Sequence, residues 1–253
     1  MEWLQAFFQA NREAARKMRN YLPQREHLPF RDYEEVVAQY MNRLGSPVVL
    51  DVGGGRKCSF SQYRPLGAKL ICLDISPEEL AHNEDADELV LADATREIPL
   101  PEASVDLVVS RAVLEHLESP QAFLQHSYRV LRPGGFCIHV LPCKFALFAL
   151  INQILPHKLG RKMLLYCHQS AAARGIFPAY YHRCYNNGMK RLFVENGFQI
   201  EEIRRYYFQS FYFEFFLPLF LLSALYEICT RPFKNLASFL LVVAQKPRGS
   251  AAG

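Results

Sequence analysis

The chain has 253 residues, half of them hydrophobic, and a formal charge of +4. That length allows one large α/β domain, or one domain with a sizeable insertion, and the composition excludes a disordered or fibrous chain. The mild charge, with no recognition motif beside it, makes no case for nucleic acid, so no such partner is expected. The seven cysteines form no CxxC pair. They are expected as reduced thiols, with no disulfide frame and no metal site. The start, Met1-Glu2-Trp3, lacks a basic segment leading into an apolar core, so no signal peptide is expected.

Trp3 to Asn20 repeats apolar residues at helical spacing, with Arg12, Arg16, Lys17 and Arg19 elsewhere on the helix. Two readings stand: a helix packed over the domain or its cleft, or a basic amphipathic helix resting on a membrane. Pro23 and Pro29 break the chain, and a second helix is expected over Asp32–Leu44, ending near Gly45. Residues 1–45 are therefore expected to form an N-terminal helical lid.

From Val48 an alternation begins. Val48–Asp51 is the first expected strand, and three glycines follow it at once. Lys69–Asp74 is the second, after which Ser76-Pro77-Glu78-Glu79 opens a helix with a capping box. Glu88–Ala92, Ser104–Ser110 and Phe136–Leu141 are the third to fifth strands. A helix starts at Ser119-Pro120 and runs to Leu131, and Pro133-Gly134-Gly135 turns the chain into the fifth strand. Strands alternating with helices predict a parallel sheet with right-handed crossovers. The rhythm stops at residues 143–178, where Phe145–Leu155 is an apolar helix candidate followed by the basic patch His157, Lys158, Arg161 and Lys162. It resumes with a helix over Asn187–Asn196 and a sixth strand over Phe198–Tyr207. A second apolar insertion covers 211–230, Ser238–Gln245 is the last strand, and 248–253 is a tail expected to be disordered.

Three expected strand ends carry an acid: Asp51, Asp74 and Asp93. Open α/β sheets bind ligands outside the carboxyl ends of their strands. Asp74 lies 23 positions after Asp51 (74 − 51), near the spacing at which a carboxylate accepts from both ribose hydroxyls. Asp93 is placed to accept from an amino group such as adenine N6. One such acid alone reads as a loop cap; three in succession read as a nucleotide-like site.

These residues resemble the class I S-adenosylmethionine-dependent methyltransferases, in their broad type 11 form. VLDVGGG resembles the first motif of that family, CLDIS its second strand, and LADATREIPLPEASVDLVVSRAVLEHLESP the stretch through strands three and four. YRVLRPGGFCIHVLP resembles its fifth strand. The likeness covers about residues 45 to 145 and returns at HRCYNNGMKRLFVENGF, 182–198. It implies a Rossmann-like, seven-stranded, mostly parallel α/β sheet with helices on both faces, plus helical insertions or a lid, in a domain spanning 46–247. It implies S-adenosyl-L-methionine as cofactor. Gly53, Gly54 and Gly55 would line its methionine and ribose, with Asp51 supporting the turn. Asp74 would hold the ribose and Ile75 would pack on the adenine. Asp93 and Ala94 would contact adenine, and Ser110 and Arg111 would border the methionine and the acceptor cleft. One position departs from the family: Lys57 stands where the third glycine of G-x-G-x-G belongs.

The sulfonium methyl is already activated, so the protein mainly has to align a nucleophile. An oxygen nucleophile also needs a base. His182 and His116 are the leading candidates. Glu115 shares the LEH stretch with His116, and His139 lies mid-strand in an apolar run, where a core role is expected. Phe215–Tyr226 is the most hydrophobic stretch, too short between Glu214 and Glu227 to span a bilayer. It reads as a helical cap on the core. With the first helix and the basic patch it also reads as a lid over an apolar acceptor, or as a dock on an anionic bilayer. The leading reading is therefore an enzyme that methylates a hydrophobic or lipid-linked small molecule, at oxygen by preference. It would be cytoplasmic, with the membrane's cytoplasmic face as a second location. A methyltransferase of a soluble metabolite and a non-catalytic scaffold of the same fold are the alternatives. A nicotinamide-dependent dehydrogenase fits the acids but not the LEH and RPGG stretches. The oligomeric state is left open.

Overall fold

The computed structural model describes residues 2–21, 28–154 and 178–248. Seven strands form one sheet: β1 (Val48–Val52), β2 (Lys69–Asp74), β3 (Glu88–Leu91), β4 (Val105–Arg111), β5 (Leu131–Pro142), β6 (Gln199–Tyr206) and β7 (Phe239–Gln245). Their spatial order is β3-β2-β1-β4-β5-β7-β6, with β7 antiparallel to both neighbours and the rest parallel. The chain steps outward from β1 to β3, then returns to lay β4 on the other side of β1. The order reverses between β1 and β4, so the crevice at a topological switch point opens above these two strands. Asp51 pairs with Cys72 and Val109, which sets the ends of β1, β2 and β4 side by side.

Helices cover both faces. On one, α4 (Pro120–Val130) and α6 (Asn186–Glu195) bury Phe123, Leu124, Leu192 and Phe193 against Leu50, Leu73 and Val108. On the other, α2 (Pro29–Leu44) buries Tyr33, Val36, Val37 and Met41 against Val49, Leu107 and Val109. Alternation along each strand feeds the two cores in turn, as a sheet covered on both faces requires. The short α3 (Pro77–Leu80) forms half of its expected capping box: Ser76 Oγ accepts from Glu79 N at 3.2 Å, while Ser76 N donates to Asp74 Oδ1 and the Glu79 carboxylate pairs with Arg56. Ser119 likewise caps α4, its Oγ accepting from Ala122 N at 3.3 Å.

Two expectations change. The Pro-Gly-Gly turn lies inside β5, which starts at Leu131 and shifts register against β4 between Val105 and Leu107. Gly134 takes a positive φ of 85° there and donates to Lys246 O at 2.8 Å, so the irregularity stays within the ladder. And α2 is not lid: it is a layer of the core. Of the two N-terminal helices, α1 (Glu2–Arg19) is the one that stands off the sheet, packed on α7 (Leu217–Thr230) through Ala15, Phe213 and Phe220. The expected apolar helix after β5 is α5 (Leu147–Ile154). The basic patch at 157–162 and the tail 249–253 lie outside the described residues.

Candidate active site

The glycine turn leaves β1 at Val52. Gly53 and Gly55 adopt φ values of 71° and 54°, and Gly53 N donates to Leu73 O at 2.7 Å. Gly54 is required by space rather than by φ. A Cβ there would lie 2.7 Å from Asp51 Oδ2 and 2.8 Å from Cys72 Sγ, and neither of those buried groups can withdraw. Asn83 holds the turn from below, its Nδ2 donating to Gly55 O at 2.7 Å and its Oδ1 accepting from Asp85 N and Ala86 N. Lys57 is exposed and is not among the non-glycine residues with positive φ. The backbone at the third family position therefore does not need glycine here.

The acids follow at adjoining strand ends. Asp51 is buried, and its carboxyl is pushed well above the ordinary range by burial first and by the neighbouring Cys58 thiol next, against the pull of the Arg111 guanidinium. Asp74 Oδ2 accepts from Gly55 N at 3.1 Å and its Oδ1 from Ser76 N at 2.9 Å. Burial raises its pKa, and these backbone donors hold the rise back. Asp74 thus ties the glycine turn to the end of β2 while keeping lone pairs for a ligand. Ile75 beside it is more than half exposed, an apolar surface left in solvent at the crevice. Asp93 Oδ1 accepts from Thr95 N (2.9 Å) and Thr95 Oγ1 (2.7 Å), and Oδ2 lies 3.5 Å from the exposed Arg96 Nε. It is a loop cap and a strand-end acid at once. Ala94 is buried behind it.

At the end of β4 the two predicted residues part. Ser110 Oγ sits 2.7 Å from His139 Nδ1, and both side chains are fully buried. The hydroxyl expected at the cleft is therefore committed to the core, where His139 packs between Phe123 and Phe193 and burial lowers its pKa to about 3. Arg111 faces the other way. Its Nη1 is 3.2 Å from Glu34 Oε1 and its guanidinium stacks 4.8 Å above the Phe30 ring, both on α2. Tyr33, one turn of α2 along, is fully buried with a hydroxyl that has no hydrogen-bond partner. Burial and the nearby Asp51 charge raise its pKa.

Beyond Arg111 the chain is strained. Ala112 has φ 54°, and across the crevice Tyr181 and Arg183 have φ 53° and 58°. Side-chain-bearing residues held in this region cluster where surrounding structure imposes them. Between them Glu115 lies buried, its carbonyl accepting from Tyr180 N at 2.8 Å and Tyr181 N at 3.0 Å. Its Oε2 has no hydrogen-bond partner, and burial raises its pKa to about 8. His116 Nδ1 is 2.7 Å from Pro178 O, which fixes the proton on that nitrogen, because a carbonyl only accepts. Its Nε2, left with a lone pair, stands 3.5 Å from Glu115 Oε1, and burial lowers its pKa. A neutral carboxylic acid thus faces a neutral imidazole. Tyr181, Tyr212, Cys143 and Cys184 surround the pair closely enough for the Glu115 charge to raise each of their pKa values. His182 is not part of this group: it is exposed and stacks on Tyr180 with ring centroids 5.7 Å apart.

Residues 50–139 match the family described as a methyltransferase domain. The chain carries a methyltransferase domain. It is 36% identical over 94 residues to a malonyl-[acyl-carrier protein] O-methyltransferase of Yersinia pestis, covering 36% of this chain and 35% of that protein. It is 33% identical over 100 residues to a thiol S-methyltransferase of Mus musculus, covering 36% and 41%. The chain thus spans less than half the length of these curated relatives. Among solved structures it is similar to an S-adenosylmethionine-dependent methyltransferase of Mesorhizobium loti, with a TM-score of 0.54 at 19% identity over 84% of this chain and 97% of that one. That last likeness concerns the fold.

S-adenosylmethionine is the cofactor of such domains, and two features of this methyltransferase domain fit it. Gly54 lets the turn lie directly against Asp51 and Cys72, where a Cβ would clash, so the backbone of the turn sits close over the Asp51 carboxyl. Beneath it, Asp51 is a buried carboxyl whose pKa burial raises against the pull of Arg111, and a ligand bearing an ammonium and a sulfonium would supply positive charge that favours its ionised form. Asp74 and Ile75 would take the ribose and one adenine face, and Asp93 and Ala94 the adenine edge. Among the described residues no cluster of metal-ligating side chains occurs. Two features are not legible in the sequence. Tyr33 and Glu34 reach the crevice from α2, a contact across the sheet that no local pattern announces. The commitment of Ser110 depends on its cross-strand register with His139. Glu115, a candidate base in the sequence ranked below His182 and His116, is buried here, whereas His182 is exposed.

Proposed function

We propose that this chain transfers a methyl group from S-adenosylmethionine to a small hydrophobic acceptor, at oxygen by preference. The observation that carries the reading is the meeting, at one switch point, of the Gly53–Gly55 turn with Asp51, Asp74 and Asp93. The bound cofactor supplies an electrophilic methyl on sulfonium sulfur. Asp74 accepts from the ribose hydroxyls while keeping its two backbone donors, so ribose and glycine turn are held as one unit. Asp51 and Tyr33 lie under the cationic end, and Arg111, anchored by Glu34, borders the acceptor side.

The acceptor's proton goes to the Glu115–His116 pair. Glu115, 3.5 Å from His116 Nε2, holds or yields a proton near neutral pH. Such a pair serves an oxygen acceptor, whose proton must leave, more than a thiolate, which arrives without one. Tyr212, close enough to Glu115 to feel its charge and packed on Phe148, supports a hydrophobic acceptor. The test is transfer of labelled methyl from S-adenosylmethionine into lipid and aqueous cell extracts. Label in a lipid-soluble product is expected. Label only in water-soluble material would give the soluble-metabolite reading, and cofactor binding with no transfer to any fraction would give the scaffold reading.

A further inference from the structure

Helix α7 is built inside out. Its inward face carries Ser223, Glu227 and Thr230 along with Phe220 and Ala224, all buried. Glu227 is the helix's one charged residue, and it is spent internally: its Oε1 accepts from Gln209 N at 2.8 Å and Ser210 N at 2.6 Å. The outward face carries Pro218, Leu221, Leu222, Leu225, Ile228 and Cys229, with no charge and no hydrogen-bonding side chain beyond a thiol. Leu222 and Leu225 are 54% and 57% exposed. A surface helix in water shows the opposite distribution. The apolar surface continues onto α1, which crosses the start of α7. Phe8 meets Phe215 with ring centroids 6.0 Å apart, Asn11 Oδ1 accepts from Leu217 N at 2.9 Å, and Arg19 pairs with Glu214 at 2.9 Å. On α1, Trp3 and Phe7 are exposed as well, and Phe233 is exposed just past α7.

The rim of this surface is cationic. Arg16, Lys17 and Arg19 in the last turn of α1, and Arg231 and Lys234 beyond α7, are all exposed. Among the described side chains of these elements the exposed acid is Glu13, since Glu214 is enclosed by Arg16 and Arg19 and Glu227 is buried. An apolar face without polar groups, edged by aromatics and cations, matches the layering of a bilayer: acyl chains beneath, anionic headgroups around. A second copy of the chain fits less well. An isologous contact would set the cationic rims against each other, and protein interfaces carry about one hydrogen bond per 100–200 Å², for which this face has no groups.

We propose that α7, with the exposed side of α1, docks this protein peripherally on an anionic bilayer surface. No helix of the described residues is long and apolar enough to cross a membrane, so the contact lies in the interface plane. The inner side of the same layer reaches the acceptor end of the crevice: Tyr212, just before α7, packs on Phe148 and is close enough to feel the charges of Glu115 and Arg111. If the proposed activity holds, a lipid-borne acceptor enters through this layer; the docking itself does not depend on that reading.

The test is vesicle flotation of the full chain with phosphatidylcholine vesicles and with vesicles containing about a quarter phosphatidylglycerol. The protein is expected to float with the anionic vesicles, to float less with neutral ones, and to be partly released by high salt. The double variant Leu222→Glu, Leu225→Glu is expected to lose at least tenfold in vesicle affinity while keeping its circular dichroism, melting temperature and cofactor affinity. Trp3 is the single tryptophan, so its emission reports docking without any substitution and should shift to the blue on anionic vesicles. Protein that stays at the bottom with anionic vesicles, a variant that floats like the wild type, or unchanged Trp3 emission would overturn the proposal. So would a wild-type dimer that the double variant converts to monomer, which would assign the face to a second copy. Cofactor binding is measured separately, so failure here leaves the methyltransferase reading standing.

Discussion

Glu115→Gln isolates the buried carboxyl that the acceptor side is built around. In the unfolded chain the group titrates at 4.5, and burial raises it to about 8 in the folded protein. Between those values the folded state binds a proton that the unfolded state has released. The stability linked to Glu115 is therefore complete below 4.5 and is lost as the pH rises through 8. With 1.36 kcal/mol per pKa unit, the two titration curves give a loss of about 3 kcal/mol between pH 5 and pH 7.5. Glutamine keeps the shape and removes the titration. Urea denaturation of both proteins across that range gives the difference in unfolding free energy, in which other titrating groups such as Asp51 cancel. The difference is expected to move by about 3 kcal/mol in favour of the variant as the pH rises. A difference that stays flat to within about 1 kcal/mol would show that Glu115 is solvated or paired when folded, and would remove the basis for its proton-transfer role.

Asp74→Ala removes a ligand for the ribose and both ties to Gly55 N and Ser76 N, so a loss of at least about a hundredfold in cofactor affinity is expected by calorimetry. Because burial raises the pKa of Asp51, a cationic cofactor should favour its ionised form and release its proton. Affinity should then rise with pH by up to about tenfold per unit below the folded pKa. The slope should be shallower for S-adenosylhomocysteine, which lacks the sulfonium charge, and absent in Asp51→Asn. Gly54→Ala drives a Cβ into Asp51 and Cys72 and should cost about 1–3 kcal/mol in denaturant unfolding. Lys57→Gly, at an exposed position without positive φ, should shift cofactor affinity by less than about 0.5 kcal/mol.

Much of the fold was legible because its signals are local. Each of β1, β2 and β3 is a short apolar run ending beside an acid, and Ser76-Pro77 and Ser119-Pro120 announce helix starts by capping chemistry that the structure reproduces. Gly134 misled because a glycine pair reads as a turn whether it ends a strand or bulges within one. The cofactor end of the site was legible for the same local reason: its residues follow their strands directly. The acceptor end was not. It depends on α2 bringing Glu34 to Arg111 across 77 positions, and on His116 meeting the carbonyl of Pro178 across 62. It also depends on whether a histidine faces in or out: His139 lies in the core as its apolar strand suggests, whereas His182, a leading candidate base, lies in solvent. The apolar stretch at 211–230 was read as a core cap, and half of that is right. Its polar residues point inward and its leucines outward, an orientation composition cannot reveal.

The central claim is that the Gly53–Gly55 turn with Asp51, Asp74 and Asp93 holds S-adenosylmethionine. Calorimetric titration of the full chain with that cofactor tests it most directly. The account predicts saturable binding at one site, which Asp74→Ala abolishes while leaving the melting transition in place. A flat titration of folded wild-type protein would contradict it, and so would undiminished binding by Asp74→Ala.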